Sequence, residues 1–335
     1  MTISKDFITF DLKKLHPFQS IVIQCHDNPD ADAIASGFGI YTYLKSIGKD
    51  SRLIYSGHLK VSKPNLLLLI NSLNIPLEYV TALDKPDLLI TVDCQVKGGN
   101  ITFFDAFHFA EIDHHIETGP LLTLSAIHPE FGSCSTLVWA LLDQASFDFN
   151  HYQDVATALY YGLLTDTNTL TEIRHPLDKE MSERLSYDTS LLRQLKHSNL
   201  SMFDLETAGI ALIRCSTNKA HKFAVLEARP CDPNILGFIS DLAIQVDNIL
   251  VCIVYFEDTQ GIKFSIRSCT DQVKANEFAH FLSQKIGSGG GHFDKAGGSI
   301  STIAFEKKYE STNIETYFHN MTREYFETHI STHTL

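Results

Sequence analysis

The sequence predicts an α/β protein of two domains. A mostly parallel sheet flanked by helices comes first, then a linker helix, then a smaller C-terminal α/β domain with a mixed sheet. Three observations carry this. In the first half, short apolar runs alternate with segments of helical periodicity, the pattern of parallel strands joined by helical crossovers. In the second half, two apolar runs are joined by Asp258-Thr-Gln-Gly261, a hairpin signal that parallel crossovers lack. The length of 335 residues suits about two domains at ~150 residues each. The expected boundaries are 1–186, a linker over 187–205, and 206–335.

Each element has its own warrant. Ile21-Val-Ile reads as a buried strand, and residues 32–47 carry Ile34, Phe38, Tyr41 and Leu44 at helical spacing before Gly48 stops the helix. Arg52 to Tyr55 is a short strand, and Asn65 to Leu73 a helix opened by Pro64. Asp87 to Val92 and Phe107 to Ile112 are further buried strands, ending at Asp93 and Asp113. Ser135 to Gln144 and residues 152–164 are helical, the latter running into Thr165-Asp166-Thr167. Helical spacing over 177–196 predicts one more helix, and the polar Lys196 to Ser201 a junction. Beyond it, Lys222–Ala228, Ile249–Phe256 and Ile262–Ser268 read as strands, with helices near 234–246 and 272–285. Gly287-Ser-Gly-Gly-Gly-His292 reads as a glycine loop, followed by Ala296-Gly297-Gly298. Tyr317, Phe318 and Tyr325 lie on a helix whose default role is packing.

Composition narrows the function classes. A net charge of −13 disfavours a grip on long nucleic acid, which works through many cationic phosphate contacts. Seven cysteines without a CxxC pair, and an N-terminus without a secretory pattern, predict reduced thiols in the cytoplasm. No apolar run approaches the ~20 residues of a spanning helix, so no membrane partner is expected.

Chemistry concentrates at the ends of elements. His26, Asp30 and Asp32 form an H-x3-D-x-D spacing directly after the first strand. Clustered carboxylates repel unless a cation lies between them, and a mixed imidazole and carboxylate set suits manganese, zinc or iron. Asp93 and the triplet Asp113-His114-His115 follow two other strands, and ligands of an open parallel sheet bind at the carboxyl ends of its strands. Asp166 ends a helix, where a negative side chain conflicts with the negative helix pole unless a cation is near. Singly, Asp93 reads as a turn residue, His114-His115 as surface, and Asp166 as a turn carboxylate. The ordered set is what carries the signal.

This set resembles the four motifs of the DHH phosphoesterase superfamily. The GGGH segment, Ala296-Gly297-Gly298 and Ser265-Ile-Arg267-Ser268 resemble the DHH-associated C-terminal domain. Within the superfamily the chain is similar to the nanoRNase and 3′-phosphoadenosine 5′-phosphate phosphatase group. The resemblance implies two divalent ions, manganese foremost, in a cleft between the domains. His26, Asp30 and Asp93 would hold one ion; Asp32, Asp93, His114 and Asp166 would hold the other, with Asp93 bridging. Asp93, Asp113, His114 and His115 would form the catalytic group, His115 facing the substrate phosphate and Asp113 orienting a histidine. Arg267, Ser268, Gly289, Gly290, Gly291 and His292, with His115, would bind substrate. Asp27 is treated as structural.

The implied reaction is metal-assisted hydrolysis of a phosphoester by an activated water. The implied substrates are RNA of two to five nucleotides, linear dinucleotides or 3′-phosphoadenosine 5′-phosphate. Alternatives are a soluble cyclic-dinucleotide phosphodiesterase and a nucleotide-binding sensor without catalysis. A homodimer is compatible with this group. Asn168, where many relatives have glycine, and Thr171 to His175 depart from the family pattern.

Overall fold

The computed structural model describes residues 5, 7–96, 98–117, 119, 122–198, 200–310 and 312–329. The first four residues, Asn199 of the polar junction and the last six residues lie outside that set. The chain divides into two compact units, Met1–Leu200 and Ser201–Leu335.

The first unit runs β1 (Ile21–Cys25), α1 (Ala31–Ser46), β2 (Ser51–Tyr55), α2 (Pro64–Ser72), β3 (Leu77–Tyr79), β4 (Leu88–Val92), β5 (His108–Asp113) and β6 (Ser125–Ile127). Four helices follow: α3 (Cys134–Gln144), α4 (Gln153–Asp166), α5 (Pro176–Arg184) and α6 (Thr189–His197). The six strands are all parallel, in the order β3-β2-β1-β4-β5-β6. β1 and β4 are buried along their whole length, as strands covered on both sides must be. The main core joins Ile21, Ile23, Leu53, Leu88, Ile90 and Ile112 to helix residues such as Ile34, Leu137 and Leu159. A smaller cluster on the alternate residues, Val22, Ile54 and Leu89, is covered by Phe104 and Ala106 of an irregular segment.

The helix expected over 177–196 is two helices. Asp188 breaks it, because its carboxylate caps α6 by accepting from the Ser190 and Leu191 amides. Leu191, Leu192 and Leu195 of α6 belong to the first unit's core.

The second unit runs α7 (Met202–Ile213), β7 (Ser216–Asn218), β8 (Phe223–Glu227), α8 (Pro233–Ala243), β9 (Val251–Asp258), β10 (Gly261–Ser268), α9 (Ala275–Ser283), β11 (Gly287–Gly291), β12 (Lys295–Ile300), α10 (Thr302–Lys308) and α11 (Ile314–His329). Its sheet, ordered β11-β12-β10-β9-β8-β7, is antiparallel except for β8 against β9. β9 and β10 form the expected hairpin, with Gly261 opposite Asp258. Tyr317, Phe318 and Tyr325 of α11 are buried in this unit's core.

The glycine stretch is a strand, not a loop: β11 pairs with β12 along its length. Its composition answers packing. A Cβ on Gly289 would lie 2.6 Å from the Ala279 carbonyl oxygen of α9, so the helix rests directly on the strand backbone.

Candidate metal centre

The sheet order places the site before any side chain is considered. β1 is followed outward by β2 and β3, whereas β4, β5 and β6 lie on its other flank. The chain therefore reverses its direction of travel at β1 and β4, and the crevice beyond their carboxyl ends is where open parallel sheets bind ligands. Cys25 of β1 pairs with Val92 of β4. The next residues, His26 and Asp93, thus emerge side by side at that crevice.

Two groups of side chains that could hold a metal ion meet there. His26 Nε2 lies 4.0 Å from Asp30 Oδ1 and 3.6 Å from Asp93 Oδ2. His114 Nε2 lies 3.3 Å from Asp93 Oδ1, 3.3 Å from Asp166 Oδ2 and 3.8 Å from Asp32 Oδ2. Atoms of His26, Asp30 and Asp93 lie mutually within 4.8 Å, as do atoms of Asp32, His114 and Asp166. The two oxygens of Asp93 thus address the two sets.

Local structure explains how each group is held. Asp30 is the N-cap of α1, accepting from the Asp32 and Ala33 amides. Asp32, fully buried, accepts from the Cys134 amide at 2.7 Å and the Ser135 amide at 2.8 Å. These are the first residues of α3, so the positive pole of that helix faces the carboxylate. Asp93 stands in the left-handed region at φ 58°, a conformation aspartate tolerates better than most residues. His114 Nδ1 donates to the Phe131 carbonyl at 3.3 Å, which leaves Nε2 for the carboxylates. Asp113 accepts from the His115 ring at 2.8 Å and from Gln95 at 2.8 Å. His115 is partly exposed, with its ring oriented by that carboxylate.

Close helix approach frames the site. A Cβ on Gly162 of α4 would meet Ser135 Oγ at 2.2 Å and Asp32 Oδ1 at 2.9 Å. Glycine there lets α4 bring Asp166 beside Asp32. Asp27 accepts from both the Thr102 amide and hydroxyl, so it fastens the neighbouring segment and does not join the cluster. Asn168 sits at φ 46° and is followed by Thr169 at 57° and Leu170 at 67°. Asparagine is, after glycine, a residue that accepts a left-handed position.

Protonation follows from this crowding. Burial pulls His26 down, but Asp93 and Asp30 outweigh it and push it up to about 10. Burial likewise opposes charge on His114, yet Asp93, Asp166 and Asp32 hold it well above its ordinary value. Burial, then Asp93 and Asp166, push Asp32 well above the usual carboxylate range. Burial raises Asp93, but His114 and His26 more than reverse this and lower it. A carboxylate cluster that retains protons on its neighbours is one short of positive charge. Asp93 Oδ1, moreover, is buried and accepts no well-formed hydrogen bond among the described residues, its neighbour being His114 Nε2 at 3.3 Å. Both features fit divalent cations held by His26, Asp30, Asp32, Asp93, His114 and Asp166.

In the second unit, Arg267 Nε donates to Asp241 Oδ1 at 2.5 Å and its Nη1 to Ser265. The Ser268 amide donates to the Asp294 carbonyl, and the buried His292 is tied by its amide to the Lys295 carbonyl. Gly289, Gly290 and Gly291 lie on the edge strand β11.

Several contributors carry no sequence signal: the Cys134 and Ser135 amides, Gln95, the Phe131 carbonyl and Gly162.

Comparison with known proteins identifies two family domains in the chain. Residues 20–163 match the DHH family, N-terminal domain, and residues 221–313 match the DHHA1 domain. The chain is 24% identical over 314 residues to the bifunctional oligoribonuclease and PAP phosphatase NrnA of Thermus thermophilus, covering 87% of each chain. It is 24% identical over 294 residues to an uncharacterised protein of Methanocaldococcus jannaschii, covering 85% of this chain but only 59% of that longer protein. A probable manganese-dependent inorganic pyrophosphatase of Streptococcus thermophilus is 27% identical over 211 residues, 59% of this chain and 61% of its own. Among solved structures, an exopolyphosphatase-related protein from Bacteroides fragilis aligns over 96% of this chain and 98% of its own, with TM-score 0.68 and 20% identity. That likeness shows the shared fold. The chain is a member of the DHH phosphoesterase family, an N-terminal DHH domain followed by a DHHA1 domain.

Proposed function

We propose that this hydrolase is a manganese-dependent phosphoesterase of very short nucleotides: RNA of a few residues, linear dinucleotides and 3′-phosphoadenosine 5′-phosphate. The observation that carries the reading is Asp93, whose two oxygens reach the His26 set and the His114 set. The likeness to the oligoribonuclease and PAP phosphatase over 87% of both chains supports the substrate class.

Two dications held by His26, Asp30, Asp32, Asp93, His114 and Asp166 would activate water and offset charge on the phosphoryl oxygens. The chain's own groups do the rest. The α3 amides fix Asp32 so that it cannot swing away. Asp113 orients the His115 ring, and His115, at the accessible side, is the proposed contact to the substrate phosphate. Arg267, Ser268, Gly289, Gly290, Gly291 and His292 are the proposed substrate-binding groups of the second unit. With Asp241, Ser265 and the Ile266 carbonyl taking four of its five N–H donors, the Arg267 guanidinium would meet a phosphate mainly through its charge and its remaining Nη2 N–H. Among the described residues no helix is long and apolar enough to cross a membrane.

The second reading, a cyclic-dinucleotide phosphodiesterase, shares this centre and differs in substrate alone. A panel of 3′-phosphoadenosine 5′-phosphate, 5′-phosphorylated dinucleotides, cyclic dinucleotides, longer RNA and pyrophosphate, incubated with manganese and resolved by chromatography, separates them. The proposal expects the first two to be consumed fastest. Preferential loss of pyrophosphate or of long RNA would refute it. Nucleotide binding without product over hours would instead favour a sensor.

A further inference from the structure

Helix α8 carries a glycine in its interior that matches one side chain of the neighbouring strand. Gly237 lies in regular helix between Pro233 and Ala243, where glycine is weaker than alanine. Among the described residues, a Cβ there would come within 4 Å of Arg267 alone beyond its own helix, with Nη2 at 3.1 Å and Cζ at 4.0 Å. The bare position is thus fitted to a guanidinium lying against the helix. Asp241 stands four residues on, so it shares that face of α8.

Asp241 completes the contact. Its Oδ1 accepts from Arg267 Nε at 2.5 Å and its Oδ2 from Nη2 at 3.4 Å, a side-on, two-pronged pairing. Strand β10 takes the other nitrogen: Nη1 donates to Ser265 Oγ at 3.3 Å and to the Ile266 carbonyl at 3.2 Å. Ser265 Oγ lies 3.2 Å from Ser240 Oγ of α8, and both serines are buried. The Arg267 side chain is only 18% exposed, whereas arginine is mostly a solvated residue. An ion pair that merely fastened α8 to the sheet would need neither Gly237 nor the buried serines, and a partly exposed pair stabilises little. The arrangement holds one long side chain still.

We propose that Gly237 and Asp241 are positioning residues for Arg267, forming a cradle that presents its guanidinium, already ordered, to a phosphate group of the substrate. The inference rests on the reading of Arg267 as a substrate contact. An arginine fixed before the substrate arrives loses little rotamer freedom on binding. The Asp241 carboxylate also offsets part of the guanidinium charge. The cradle therefore favours a geometric fit to one phosphate group over general attraction of long polyanions, as a short nucleotide requires.

The test is steady-state hydrolysis of a 5′-phosphorylated dinucleotide by the full chain with manganese, alongside thermal unfolding. Gly237→Ala should raise KM about three- to tenfold and change kcat less than about twofold. Its melting temperature should hold or rise, since alanine is the better helix former, so the loss cannot be one of folding. Asp241→Ala should raise KM about tenfold, and Arg267→Ala at least as much. On the Arg267→Ala background neither substitution should add a further rise, because both act through that guanidinium. A normal KM in Gly237→Ala beside a raised one in Arg267→Ala would overturn the cradle and leave Arg267 as a substrate contact. A normal KM in Arg267→Ala would overturn both readings. A lower KM in Asp241→Ala would show the carboxylate opposing the phosphate, and a further rise on the Arg267→Ala background would show an action that bypasses Arg267. Either result contradicts the proposal.

Discussion

Asp93 Oδ2 lies 3.6 Å from His26 Nε2, and Oδ1 lies 3.3 Å from His114 Nε2, so its removal strips a ligand from both sets at once. Asp93→Ala should reduce turnover by about a thousandfold or more and lower manganese affinity at both positions, read by a metal titration alongside the kinetics. Proton release is a second consequence. In the metal-free chain His26 is held up to about 10, so it carries its proton at neutral pH; as a ligand it must be neutral. Manganese binding at pH 7.5 should therefore release about one proton or more per ion, and affinity should rise with pH. Calorimetry in buffers of different ionisation enthalpy reads this directly. Binding without proton release would mean the histidines are not ligands. Of these residues, the polar ones were legible in the sequence, because carboxylates and imidazoles at strand ends are costly without a purpose. The Phe131 carbonyl and the Cys134 and Ser135 amides were not, since backbone groups look alike in every sequence.

Elements position these residues through their termini and their close crossings. α1 begins on Asp30, α3 begins under Asp32, and α4 ends at Asp166. Gly162→Ala should destabilise the chain by about 1–3 kcal/mol and weaken manganese binding as well, because the added methyl collides with Ser135 and Asp32. Thermal unfolding with and without manganese tests both effects. Unchanged stability would mean that α4 shifts freely. Strand and helix identities were readable where periodicity was long, as in α1, β4 and β9. The glycine stretch misled because glycine composition signals loops, whereas here close packing of α9 demanded bare backbone in a strand. The three-residue strands β3, β6 and β7 carry too little pattern to be seen at all.

At the scale of the molecule, the N-terminal segment is tied to the first unit by charge. Lys5 pairs with Asp143, which also takes Arg184 at 2.8 Å, and both cations lie over the Trp139 ring. Burial raises the Asp143 carboxyl, but Lys5 and Arg184 more than offset this and hold it below its ordinary value. A depressed carboxylate stabilises the fold above its unfolded pKa and loses that contribution as pH falls through the folded one. Asp143→Asn should thus cost about 1 kcal/mol near pH 7, and the difference from wild type should shrink below about pH 4, as chemical denaturation across pH would show. A constant difference would assign the loss to packing. This tie joins residues 138 apart in sequence, and nothing local announces it. The two-part architecture was legible from the change in strand pattern at mid-chain.

The most direct test of the account is hydrolysis of a 5′-phosphorylated dinucleotide by chelator-treated protein as manganese is added back. The account predicts no turnover at the start, a rise that levels off at two ions per chain, and no rise for Asp93→Ala. Full activity without metal, or an undiminished rate in Asp93→Ala, would contradict it.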